Sequence, residues 1–263
     1  MRRVIAGLAL TTGVALVTAV PAQAAARPDP VKALKAQISS GKGAEVTSST
    51  TMSVKGKKLI SFTEKGKIQP GKGSDLTFKG DLSLALFASI EPGDVHALSA
   101  LAGTSRFVTI GKETYVSGEL VRNALPTGMT WLRFEEPVTS PGAPLIDVLA
   151  PGTLKTLLAG AGPAKGGVVK GTTSVAGLRS VAPRLRAFAT KGAISWTLTL
   201  DGKGLVKSFS ATLPSTDGMS VKTGTRVSRW GSVKIAAPAD GVYDADALGQ
   251  AVPIPDPIAE ANK

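Results

Sequence analysis

Two motifs in the chain match the serine and lysine elements of acyl-transfer enzymes. Ser39 to Lys42 reads S-x-x-K and Lys222 to Gly224 reads K-T-G, as in penicillin-binding proteins and β-lactamases. Those enzymes place the serine at the start of a buried helix, with the lysine one turn later. Here Ser39 lies at the end of a predicted helix, and Gly41 interrupts the turn. The third element, S-x-N, is absent, because Asn123 and Asn262 are the only asparagines. We therefore expect no acyl-transfer site.

The other reactive side chains form no known catalytic or metal-binding pattern. His96 is the only histidine, it follows the loop-like sequence Glu91 to Asp94, and no G-x-S-x-G motif accompanies it. Asp240, Asp244 and Asp246 lie close together, but their spacing does not match a calcium loop. The chain has no cysteine, which excludes disulfides and thiolate metal sites. We expect a protein that is not an enzyme and has no metal and no cofactor.

The first 24 residues predict export. Arg2 and Arg3 precede an uncharged apolar run from Val4 to Val20, and Ala22-Gln23-Ala24 fits an A-x-A cleavage site. The run is short for a membrane span of about 20 residues, which favours a signal peptide over an anchor. Because no cysteine could accept a lipid at the cleavage point, we expect a mature protein from Ala25 that is secreted, or lies in the cell envelope, without a lipid anchor.

The basic charge of the chain is dispersed. Lys and Arg number 31 against 19 Asp and Glu, a net charge of +12 that becomes +10 once Arg2 and Arg3 are removed. Beyond that pair only Lys57 and Lys58 are adjacent, and aromatic residues make up 5% of the chain. This pattern argues against nucleic-acid binding. It allows weak contact with anionic envelope surfaces, although a charged solubilising surface is the simpler explanation.

Alternation of apolar and polar residues predicts two groups of antiparallel strands. It runs from Ala44 to Phe87 and returns from Ile194 to Pro238, with turn residues at each interruption. Shorter segments predict a hairpin over 107–117 and strands at Trp131 to Phe134 and Gly166 to Ser174. A period of two with one polar face is typical of a sheet covered on one side.

Three segments have helical spacing of their apolar residues. The first follows Asp29-Pro30 and ends at Gly41, the second runs from Pro144 to Ala159 with a break at Pro151-Gly152, and the third runs from Leu178 to Ala189. These patterns predict an α+β fold, in which a large curved antiparallel sheet (a half-barrel) wraps around amphipathic helices. We expect a signal peptide over 1–24, a single domain over 25–250 and a proline-rich tail over 251–263.

Three short segments resemble the LppX/LprG-like lipoproteins of mycobacteria and their actinobacterial relatives. They are Gly111 to Val116 (GKETYV), Thr130 to Phe134 (TWLRF) and the closing stretch from Trp230 to Pro238. The resemblance covers residues 29 to 248 and includes the order of the predicted elements. It implies a half-barrel of the LolA/LolB type with an apolar cavity between sheet and helices, and it implies a role in carrying lipids across the envelope. The missing lipid-bearing cysteine departs from the family pattern.

A cavity of this kind would be lined by the apolar residues that the predicted helices and strands turn towards each other. Packing in a closed core would use the same side chains, so an envelope interaction module with no cavity is the alternative. The predicted ligand-binding residues are Phe62, Phe78, Leu82, Leu84, Ile146, Leu149, Leu154, Leu157, Leu158, Leu178, Val181, Leu185, Phe188, Trp196 and Leu198. The partner we expect is a lipid or another apolar ligand.

Overall fold

A computed structural model describes residues 28–83, 99–187, 191–214 and 218–249. The named helices are α1 (Pro30–Ser39), α2 (Pro151–Ala159) and α3 (Val175–Leu178), residues 99–101 are also helical, and 3₁₀ turns lie at Arg122–Ala124, Pro183–Ala187 and Ala245–Leu248. The strands are β1 (Gly43–Val54), β2 (Lys57–Gln69), β3 (Gly73–Leu82), β4 (Thr104–Ile110), β5 (Glu113–Gly118), β6 (Trp131–Phe134), β7 (Val168–Ser174), β8 (Ala193–Leu200), β9 (Val206–Thr212), β10 (Met219–Gly231) and β11 (Val242–Asp244).

All eleven of these strands belong to one sheet, in the order β11-β6-β5-β4-β3-β2-β1-β10-β9-β8-β7. Every pair is antiparallel except β11 with β6, and the end strands β11 and β7 do not pair with each other. The long strands β1 and β10 lie in the middle, so the two predicted groups of strands join there. The predicted α+β class with a large open antiparallel sheet is confirmed.

One face of the sheet, the inner face, carries the buried side chains. In β8 the alternation places Ile194, Trp196 and Leu198 inside, as predicted from the period of two. A first apolar cluster joins these residues to helices α1, α2 and α3, and a second cluster lies on strands β2 to β6. Helices α1, α2 and α3 therefore cover one part of the inner face, and Leu101 of the helical residues 99–101 packs in the second cluster. None of the helices in the described ranges has the length and apolar character for a bilayer crossing.

Two predicted helices are shorter than the sequence indicated. Residues 144–150 are irregular, and α2 starts at Pro151, because a proline disfavours the helical conformation of the residue before it. Ala150 accordingly has an extended backbone, with φ −82° and ψ 119°. The predicted helix from Leu178 is replaced by the end of α3 and a 3₁₀ turn that begins at Pro183, which lacks the N–H a continuous helix needs.

Candidate ligand-binding cavity

A cavity of about 800 Å³ lies between the inner face of the sheet and residues 138–150, which we call the cover segment. Strands β1 to β4 and β10 form its floor, and the cover segment with the first residue of α2 forms its roof. The exposed wall residues, among them Lys72, Gly111 and Thr139, lie on its solvent side. Its inner end is formed by buried residues of the sheet. The volume falls in the range of small-molecule sites in proteins.

An apolar row of residues forms the middle of the cavity floor. The strand register places Val46, Gly66, Leu76 and Phe107 side by side across β1 to β4. Val46, Leu76 and Phe107 line the cavity, whereas Gly66 contributes no side chain between the first two. A Cβ atom at Gly66 would collide with the backbone carbonyl oxygen of Asp75, so the close approach of β3 favours glycine here. The middle of the floor is therefore apolar.

A polar row crosses the inner end of the same floor. Thr225, Ser48 and Glu64 are cross-strand partners on β10, β1 and β2, and all three are buried and line the cavity. The hydroxyl oxygens of Ser48 and Thr225 are 3.3 Å apart, within hydrogen-bonding distance. The next residue across the sheet is Phe78, so the polar row ends at β2. Polar side chains on the buried face of a sheet need partners, which the two hydroxyls give each other.

Glu64 has an environment unlike that of its two neighbours. Its residue exposure is 3%, and its Oε1 atom has no hydrogen-bond partner among the described residues. Burial raises the pKa of the Glu64 carboxyl to about 7, although a hydrogen bond with Ser140 and the positive charge of Arg184 act in the opposite direction. A carboxyl group that changes charge near neutral pH therefore lies at the inner end of an apolar cavity.

Arg184 holds the cover segment over Glu64. Its guanidinium group donates hydrogen bonds to the backbone carbonyl oxygens of Ala143 (2.6 Å), Pro141 (3.2 Å) and Ser140 (3.3 Å). Gly142 then packs so closely that a Cβ atom there would lie 2.6 Å from Cδ2 of Phe78 and 3.3 Å from Cβ of Glu64. The cover segment thus closes the cavity on the side of β2 and β3.

Asp147 is a second acidic residue on the cavity wall. It is accessible to solvent on the open side of the cavity but is surrounded by protein on its other sides, and this burial raises the pKa of its carboxyl. Its Oδ1 accepts a hydrogen bond of 2.9 Å from the backbone N–H of Leu149. That bond satisfies a donor of the irregular segment that precedes α2. The neighbours Leu145, Ile146 and Val148 are buried in the first apolar cluster and anchor the cover segment.

The sequence-predicted binding residues are mostly elsewhere. Leu149 lines the large cavity, and Leu158 lines a second groove of about 500 Å³ between residues 28–30, the end of α2 and the β8–β9 turn. Leu84 and Phe188 lie outside the described residues. Of the remaining eleven, those in the first cluster or packed against it are Ile146, Leu154, Leu157, Leu178, Val181, Leu185, Trp196 and Leu198, and those in or against the second are Phe62, Phe78 and Leu82. None of these eleven lines either space.

Sequence reasoning missed the polar row, although a signal for it was present. Glu64 has the strand parity of Ile60 and Phe62, and Ser48 has the parity of Val46, so both are polar residues on an apolar face. A polar residue at such a position marks either a satisfied pair or a functional group. In the described part of the chain, no group of three or more acidic or histidine side chains could hold a metal ion.

Comparisons with known proteins find a structural likeness and leave the ligand open. No family model matches the sequence, and a search of curated proteins finds no match. Among solved structures, the crystal structure of LprF from Mycobacterium bovis matches at 15% sequence identity and a TM-score of 0.43, covering 81% of this chain and 100% of that one. The protein matched is of the kind that the sequence resemblance to the LppX/LprG-like lipoproteins predicted. A likeness of this size assigns no role to any residue.

Proposed function

We propose that this protein binds an apolar or amphipathic ligand, such as a lipid, in the cavity beneath the cover segment. The observation that supports this function is the cavity itself, a space of about 800 Å³ with apolar walls of Val46, Leu76 and Phe107 that remains beside two packed apolar clusters. Close packing is the rule in protein interiors, so an apolar space of this size is typical of a binding site.

The setting we propose for this binding is the cell envelope or the extracellular space. The signal-peptide pattern over 1–24 and the absence of cysteine favour a secreted protein without a lipid anchor. We propose a carrier or sequestering role with no catalysis. The intact mass of the exported protein tests the first part, because a retained Met1 to Ala24 or an added fatty acid would contradict it.

Filling the cavity should abolish ligand binding. Ile68 lies on β2, is half-buried and lines the cavity, so we expect the indole of Ile68→Trp to occupy the ligand space with little loss of stability. Ile60→Trp is the matched control, because it adds the same side chain to the same strand and the same face at a position that packs against the second cluster instead. The measurements are the lipid content of the purified protein by mass spectrometry and the binding of the apolar dye N-phenyl-1-naphthylamine.

The outcomes separate the two candidate functions. Loss of lipid or dye binding in Ile68→Trp, with binding retained in Ile60→Trp, supports the cavity as the site. A wild-type protein that carries no lipid and binds no dye contradicts ligand binding and leaves the envelope interaction module. Equal binding by both variants would mean that the ligand occupies a different surface.

We also propose weak, salt-sensitive contact with anionic envelope surfaces. The net charge of +10 on the mature chain is spread over the surface, and at about 0.15 M salt charges more than roughly 8 Å apart are largely screened. Co-sedimentation with anionic and neutral vesicles at low and physiological salt measures it. Equal binding to both vesicles at both salt levels would show that the charge has no such role.

A further inference from the structure

Glu64 stands out among the cavity residues because its position is unfavourable without a ligand. It lies at the inner end of an apolar space, is 3% exposed and leaves Oε1 without a hydrogen-bond partner in the described part of the chain. A buried polar atom normally has a hydrogen-bond partner, because an unpaired atom has lost its hydrogen bonds to water and gained none in the protein. Glu64 lines the cavity, so a molecule bound there could supply that partner once the carboxyl group turns towards it.

The neighbouring side chains offer further hydrogen-bonding capacity at the same depth. Ser48 and Thr225 lie beside Glu64 in the strand register and also line the cavity. A hydroxyl group has one donor and two acceptor sites, so the bond between Ser48 and Thr225 leaves both able to bond further. Towards solvent the floor becomes apolar at Val46 and Leu76. The site is therefore built for a polar group at the inner end of an apolar chain.

The charges around Glu64 decide which polar group fits. The positive charge of Arg184, which holds the cover segment, disfavours an ammonium group at this depth. A carboxylate would be repelled by Glu64 on the floor and by Asp147 in the cover segment, both of which line the cavity. A hydroxyl group carries no charge and can either donate to Oε1 or accept from it, so it suits both the ionised and the neutral form of Glu64.

We propose that Glu64, together with Ser48 and Thr225, anchors a hydroxyl group carried on an apolar chain at the inner end of the cavity. This inference rests on the proposed ligand-binding function and adds the chemistry of the ligand. The apolar chain lies against Val46, Leu76 and Phe107, and its hydroxyl group completes the hydrogen bonding of the polar row.

A pair of probes tests the anchor, in which the hydroxyl proton of one is replaced by a methyl group in the other. The assay measures displacement of N-phenyl-1-naphthylamine from the mature protein that starts at Ala25. We expect 1-dodecanol to bind about 3- to 10-fold more tightly than 1-methoxydodecane, because one additional hydrogen bond has about this effect on affinity. Glu64→Leu should bring this ratio to about one while binding of the methyl ether is retained. Glu64→Gln should keep most of the preference, because its amide oxygen still accepts a hydrogen bond.

Each other outcome bears on a different claim. If neither probe binds to the wild type, the proposed ligand-binding function fails. If both bind equally and Glu64→Leu changes nothing, the cavity binds ligands but the anchor is refuted. Tighter binding of dodecylammonium than of 1-dodecanol would replace the hydroxyl with an ion pair and overturn the assignment. Should Glu64→Leu fail to fold, Ser48→Ala and Thr225→Val give the same test, and an unchanged ratio in both refutes the anchor.

Discussion

Replacing Glu64 with glutamine should change the way in which stability depends on pH. Burial raises the pKa of this carboxyl from 4.5 to about 7 in the folded protein. Below about pH 4.5 the carboxyl is neutral in both the folded and the unfolded chain, so its full contribution to stability is present. As the pH rises through about 7, the unfolded chain has already released its proton and the folded protein must hold a buried carboxylate. The free energy of unfolding therefore falls as the pH rises from about 4.5 to about 7.

The expected size of the loss follows from the two pKa values. One pKa unit corresponds to about 1.4 kcal/mol, so the interval from 4.5 to about 7 corresponds to about 3 kcal/mol. Glutamine keeps the shape of the side chain but does not ionise. The Glu64→Gln substitution can also change stability by an amount that does not depend on pH. Between about pH 5 and pH 8 we expect the difference in unfolding free energy between the variant and the wild type to shift by about 2.5 kcal/mol in favour of the variant.

Urea unfolding at several pH values measures this shift directly. The contribution of Asp147, whose pKa is also raised, is common to both proteins and cancels in the difference. Glu136→Gln, at an exposed position in the loop after β6, is the matched control and should show no such shift between about pH 5 and pH 8. Parallel stability curves for Glu64→Gln and the wild type would refute the idea that Glu64 is buried as an unsatisfied acid.

Three further predictions concern the cover segment and the first helix. Arg184→Met removes three hydrogen bonds from a cation to backbone carbonyls, and we expect a loss of about 2 kcal/mol or more in urea unfolding. Gly142→Ala places a Cβ atom 2.6 Å from Phe78 and should cost about 1–3 kcal/mol, measured as a lower melting temperature; an unchanged melting temperature would mean that the segment is not tightly seated. Asp29→Ala removes the side chain that accepts from the first turn of α1, at an expected cost of about 0.5–2 kcal/mol in thermal unfolding, whereas Asp29→Asn should retain most of the stability.

The strands could be predicted from the sequence because their signal is local. A period of two identifies a strand with one buried face without reference to the rest of the chain, and β1, β2, β8 and β10 follow it closely. The order of the strands could not be derived in this way, since the pairing of β1 with β10 joins residues far apart in the chain. Apolar residues in 144–150 suggested a helix, but Pro151 and the Asp147 side chain favour an irregular segment that buries the same residues.

An apolar cavity was predicted, but the space that the structure shows has other walls than the predicted residues, apart from Leu149. Apolar residues at helical and strand spacing mark everything that is buried, and most of those chosen, such as Leu157 and Trp196, fill the core. A cavity exists where side chains do not fill the space between elements, and where an irregular segment spans the sheet. Those features depend on the three-dimensional arrangement of distant segments, which a periodic pattern does not contain.

The polar residues of the inner face have two different explanations. Thr50 and Thr223 are buried cross-strand partners whose hydroxyl oxygens are 3.3 Å apart, as in the neighbouring pair Ser48 and Thr225. Mutual pairs of this kind satisfy each other and help to fix the register of β1 against β10, so folding alone accounts for them. Glu64 cannot be explained in the same way, because Oε1 remains unpaired among the described residues and burial penalises its charge. Its interactions with Ser140 and Arg184 offset the penalty of burial only in part, since its pKa remains raised. Departures from such packing rules are expected at functional sites, and Glu64 lies at the inner end of the cavity.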